Sequence, residues 1–162
     1  MRVIQRMGRR AVLGIVVMLF ATAVSAAAAG TPVVDVIAAE DRLIGQAPGY
    51  TVLEHLTSYK KSQYATITPV LISLEQVIRG AASTVAVSTV SSTAQKSARY
   101  DWVQGARLTA NAVGHLVVEL RDLETAKASP AVKQRKAAAA LITAGGKLTR
   151  KADSLLGLPA TL

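Results

Sequence analysis

From Trp102 onward, apolar and small residues recur at alternating steps of four and three: Trp102, Ala106, Thr109, Val113, Leu116, Leu120 and Leu123. That spacing puts all seven on one side of an α-helix. Ser129-Pro130 interrupts the pattern and restarts it. Serine accepts from a free amide at a helix start, and proline at the first helical position has no amide to leave unsatisfied. A second stripe follows: Ala137, Leu141, Ala144, Leu148, Ala152 and Leu155. Two helices joined by so short a break are expected to pack antiparallel as an αα-hairpin.

Upstream, Thr68-Pro69 repeats the cap-plus-proline signal. The stripe behind it is Val70, Leu74, Val77, Ala81, Val85 and Ser88, flanked by Leu71 and Ile78. Its second half is rich in serine, threonine and valine, which are mediocre helix formers. No turn signal interrupts Val70 to Arg99, and a partner helix can supply the packing, so one helix is expected there. The next is expected to start at Tyr100 or Asp101, where a carboxylate suits the positive end of a helix. Gly105 and Gly114 are costly inside a helix but let another helix come close. Gly145-Gly146 reads as a bend, and Gly157 and Pro159 as the end of the last helix.

The first segment has a different grammar. Arg2, Arg6, Arg9 and Arg10 precede an apolar run from Ala11 to Val24, and small residues follow to Gly30. A basic start, an apolar middle of about 7–15 residues and an Ala-x-Ala end describe an export signal. The run is short for a membrane-spanning helix, which takes about 20 apolar residues. Arg9-Arg10 before Ala-Val-Leu-Gly also fits a twin-arginine signal. Cleavage is expected after Ala27 or Ala29. Residues 30–63 contain Pro32, Gly45, Pro48 and Gly49 and read as an N-terminal arm with short helices. Residues 64–158 form the bundle domain and 159–162 a tail. The expected fold is all-α: an up-and-down bundle of three long helices plus a partly helical arm.

Composition narrows the chemistry. The 162 residues carry a net charge of +9, with one Trp, one Phe and no Cys. The core must therefore be built from small aliphatic side chains, without disulfides or thiolate sites. Removing the first 29 residues takes away four arginines and no acid, leaving 15 basic and 10 acidic residues, a charge of +5. His55 and His115 have no ligand partners at metal spacing. No phosphate loop, nucleophile elbow or carboxylate pair is present. No catalytic residue, cofactor or metal is expected, and no small-molecule substrate.

The basic residues are unevenly spread. Lys127, Lys133, Arg135, Lys136, Lys147, Arg150 and Lys151 follow one another without an acid between them. Most share a broad helical face. Such a face either keeps a protein in solution or docks on an acidic surface. Export and the lack of stacking aromatics argue against nucleic acid. Trp102 reads as a core anchor, and Arg107 as a contact across the bundle or toward a partner.

Tyr100, Asp101-Trp102, Arg107, Leu116, Leu120-Arg121-Asp122-Leu123, Lys127, Ser129-Pro130, Lys136 and the Leu141/Leu148/Asp153 spacing resemble the PsbQ family. These are extrinsic lumenal subunits of photosystem II. The resemblance spans about 60 residues plus the twin-arginine presequence. The missing cysteine departs from the lipid-bearing cyanobacterial members and points to an algal type. The resemblance implies a non-catalytic four-helix-bundle-like protein in the thylakoid lumen, peripheral on the membrane. It would contact the photosystem II core and other extrinsic subunits, and favour calcium and chloride retention at the manganese–calcium cluster. A subunit of another thylakoid complex and a bacterial periplasmic adaptor are the other readings.

Overall fold

A computed structural model describes residues 30–159. The signal-like segment and its cleavage site lie outside the described residues. The architecture is all-α, with helices α1 (Val33–Gln46), α2 (Pro48–Glu54), α3 (Tyr64–Ala86), α4 (Thr93–Glu124) and α5 (Ala128–Leu156). Two short 3₁₀ turns, Leu56–Ser58 and Lys61–Gln63, connect α2 to α3. Three long helices and a helical arm match the expected bundle.

The arm is part of the core rather than an appendage to it. Val33, Val36, Ile37 and Ile44 of α1 are buried against α3 and α4. Pro32 and Thr89 tie its start to the α3–α4 connection, with Val33 donating to the Thr89 carbonyl at 2.9 Å. The Ala47-Pro-Gly-Tyr signal marks the break between α1 and α2, and Pro48 opens α2. Gly49 then lets α2 approach α3, because a Cβ there would lie 2.8 Å from the Val70 carbonyl oxygen.

The α3 boundaries differ from the expectation at both ends. The helix begins at Tyr64, so Pro69 falls inside it. Thr68 donates its hydroxyl to the Tyr64 carbonyl at 2.8 Å. At the other end α3 stops at Ala86, and Val87–Ser92 turns the chain into α4 well before Tyr100. The stop has a physical reason without glycine or proline. Hydroxyl side chains compete for backbone bonds in this run, and Ser88 donates to the Val85 carbonyl at 2.7 Å. Ser92 then caps α4, accepting from the Gln95 amide at 3.2 Å. Asp101, expected at a helix start, is therefore two turns inside α4 and buried.

The α4 stripe holds. Trp102, Ala106, Val113, Leu116 and Leu120 are buried, while Thr109 and Leu123 are half-buried. The α5 stripe does not hold. Ala137, Leu141 and Leu148 are only half-buried, and Ala144 and Leu155 are exposed. The face turned to α4 is Ala131, Ala138, Gly145, Thr149, Ala152 and Asp153. Its counterpart on α4 is Ala98, Gly105, Ala112 and Glu119. Ala131, Ala138, Gly145 and Ala152 on α5, like the four on α4, recur in steps of seven, the repeat that keeps a seam facing its partner along two helices. The seam is so close that leucines are pushed to its flanks. A Cβ on Gly145 would lie 2.8 Å from the Gly105 carbonyl oxygen, and one on Gly105 would lie 2.8 Å from that of Gly145. Gly145-Gly146 is thus a crossing point in a continuous helix, where a bend was expected.

The α4–α5 corner and the end of α5 use left-handed residues. Ala126 has φ 61°, and Lys127 donates back to the Asp122 carbonyl at 2.8 Å. Gly157 has φ 67° and closes α5 as its sequence position suggested. The last helix begins at Ala128, which puts Ser129-Pro130 inside its first turn.

Candidate functional site

The outer face of α5 concentrates the unusual chemistry of the chain. A helix advances about 100° per residue at 3.6 residues per turn. Lys133, Lys136, Lys147 and Arg150 therefore stand opposite the buried Ala131, Ala138, Gly145 and Ala152. All four are exposed, and none makes an ion pair among the described residues. From Lys133 to Arg150 the face is about 25 Å long, at a rise of about 1.5 Å per residue. Between its two basic ends lie exposed Ala139, Ala140, Thr143 and Ala144. The only carboxylate of α5, Asp153, is 1% exposed, so none interrupts the face.

Two of the seven expected docking cations are paired with carboxylates of α4, although both stay exposed. Arg135 donates Nε to Glu119 Oε1 at 2.7 Å, and its Nη2 reaches the same oxygen. Glu119 is 1% exposed, and the guanidinium supplies the countercharge that its burial demands. The hydrogen bond to Glu119 in turn raises the Arg135 pKa from its usual value. Lys151 Nζ sits 2.8 Å from Asp101 Oδ2. These pairs pin α5 to α4 near both ends of the seam. Lys127 is exposed at the N-cap of α5. Residue spacing put Lys151 on the basic face, while Arg135 was counted among the docking cations for its charge alone. Their partners could have been found by noting that Asp101 and Glu119 lie on the small-residue side of α4.

The structural residues fall where the apolar pattern put them, with one addition. Trp102 is fully buried, and its indole Nε1 donates to Asp41 Oδ1 of α1 at 3.1 Å. A buried indole needs such a partner. Arg107 is exposed on α4. Beside Asp41, Glu40 is also buried, and its pKa is raised. Desolvation is the main cause. A hydrogen bond from Thr84 opposes it, and the neighbouring Asp41 charge adds to it. Glu40 and Asp41 were not foreseen as buried, since charged neighbours in an arm ordinarily face water.

His115 lies on the flank of the α4–α5 seam, its Nδ1 2.6 Å from Gln134 Oε1. His55 is exposed. Among the described residues, no group of three or more His, Asp or Glu is placed to hold a metal, and no helix is long and apolar enough to cross a membrane.

An apolar cavity of about 120 Å³ opens where α1 and α2 meet α3, α4 and α5. Thr109 and Thr149 contribute to its wall, but their hydroxyls donate to the Gly105 and to the Gly145 and Gly146 carbonyls. The chemistry on offer is thus a long carboxylate-free cationic face on one side of α5 and a hydrocarbon-lined cleft beside it. No family model, curated protein or solved structure matches the chain.

Proposed function

We propose that the protein is a non-catalytic extrinsic subunit of the PsbQ type, docked on the lumenal side of photosystem II. There it would steady the manganese–calcium cluster and favour retention of calcium and chloride. The observation that carries the docking part of this reading is the outer face of α5. It presents Lys133, Lys136, Lys147 and Arg150 over about 25 Å, and its one acid is buried. Long-range charge steers such a face toward an acidic surface and sets its orientation there. The photosystem itself is argued from the Trp102-to-Lys136 pattern and the presequence. Localisation in the thylakoid lumen, peripheral to the membrane, belongs to the same proposal.

Contacts made by exposed cations are screened beyond about 8–10 Å at moderate ionic strength. Concentrated salt should therefore release the chain from isolated photosystem II membranes. Oxygen evolution should fall with it, and added calcium and chloride should restore it. The combined variant Lys133→Glu, Lys136→Glu, Lys147→Glu should fail to rebind at low salt. Rebinding at the wild-type level would exclude the basic face as the docking surface. Recovery of the chain with a different thylakoid complex would move the function there.

A further inference from the structure

We infer that the cleft between the N-terminal arm and the α4–α5 hairpin is a binding site for a small carboxylate with a short hydrocarbon tail, its head held by Arg150. Nothing in this inference depends on where the protein docks.

The tail is argued from the cavity. Ile44, Leu53, Ile78, Ala106, Ile142 and Gly146 form most of its wall. Both threonines on that wall have given their protons to backbone carbonyls. Apart from the Tyr50 phenol, the side chains of the wall offer a polar group no donor, and burying one there costs its desolvation. A cavity of about 150 Å³ lined by aliphatic residues holds benzene. At about 120 Å³ this one has room for roughly five carbons on the same scale.

The head is argued from Arg150. It stands one turn after Gly146 on α5 and folds back over it. A Cβ built on Gly146 would lie 3.8–3.9 Å from the atoms of its guanidinium. Arg150 has no acidic partner among the described residues. Arg150 does not line the cavity itself but stands beside Gly146, which does; a planar fork of donors there suits a carboxylate, which it can bind through two bonds. The volume of about 120 Å³ sets the ligand's length. A six-carbon acid places five carbons inside and its carboxylate at the guanidinium. A long acyl chain does not fit with its head in that position.

The test is a titration of the isotope-labelled protein with hexanoate, followed by the methyl signals of Ile44, Ile78 and Ile142. Saturable shifts confined to these residues are expected, with Ile67 unmoved. Hexanol should bind about tenfold more weakly, since it lacks the charge-assisted bond. Arg150→Gln, an exposed change, should bring hexanoate down to the level of hexanol and leave hexanol unaffected. Absence of saturable shifts, or equal affinity for acid and alcohol in the wild type, would overturn the assignment. So would affinity that keeps rising from hexanoate to dodecanoate, which is the mark of adsorption on the surface. The docking variant retains Arg150, so loss of docking and loss of ligand are read separately.

Discussion

The two seams that meet on α4 are built on opposite principles. Toward α3 and α1, the helix packs large side chains: Leu71, Leu74 and Ile78 lie in one cluster with Trp102, Val113 and Val117. There stability comes from apolar area removed from water, at about 25 cal/mol per Å². Toward α5, the helix packs alanine and glycine. Little area is available per residue, and stability comes from close backbone approach and two ion pairs. The first seam fixes that the chain folds. The second fixes how two helices are aligned, because buried charge tolerates only the register that pairs it.

If that division is right, the first seam should respond most strongly to loss of volume. Trp102→Ala should cost about 3–5 kcal/mol, read as a shift in the urea midpoint. It removes the largest fully buried side chain and leaves Asp41 without its indole partner. A cost below about 1 kcal/mol, typical of surface changes, would mean that the seam is not the main support.

The second seam should respond to gain of volume, and two adjacent glycines provide the contrast. Gly145→Ala should destabilise by about 1–3 kcal/mol, since the new methyl meets the Thr109 hydroxyl at 2.7 Å and the Gly105 carbonyl at 2.8 Å. Gly146→Ala meets only the Arg150 side chain at 3.8 Å. It should stabilise by up to about 1 kcal/mol through helix propensity. Thermal melts of the two variants should move in opposite directions. Movement in the same direction would break the small-residue account.

The smallest effect is expected from Glu40, a charge enclosed where the arm meets the first seam. Its folded pKa is raised, so the folded protein holds this proton more tightly than the unfolded chain does. The stabilisation is fully present below the unfolded value near 4.5 and is lost as pH rises through the folded value. Denaturation between mildly acidic and neutral pH should show wild-type stability falling as pH rises. Glu40→Gln should flatten that slope. An unchanged slope would show that Glu40 titrates alike in both states.

How much of this was legible in the chain follows from the same contrast. The α4 stripe was legible because tryptophan, valine and leucine mark a buried face by size. The α5 face was not, because alanine and glycine carry little hydropathic signal. Their seven-residue recurrence on both helices was the usable sign. The α3–α4 break escaped because it is made by hydroxyl groups rather than by glycine or proline. The positions of the outer cations were readable one by one from the helical period. What period alone could not tell was which cations have a carboxylate within reach, since Glu119 and Asp101 belong to another helix. Arm burial was missed for a related reason: Glu40 and Asp41, charged residues that are buried here, masked the apolar face of Val33, Val36, Ile37 and Ile44.

The seven-residue recurrence also bears on how such a hairpin can change over evolutionary time. Deleting or inserting seven residues within α5 returns a small residue to each crossing point, so the close seam survives. Any other length brings a bulky or charged side chain against the α4 backbone. One such step displaces everything beyond it by about 10.5 Å along the bundle, at about 1.5 Å per residue. Length in this hairpin is quantised, and the outer cations would be carried along in jumps of two helical turns rather than by gradual drift.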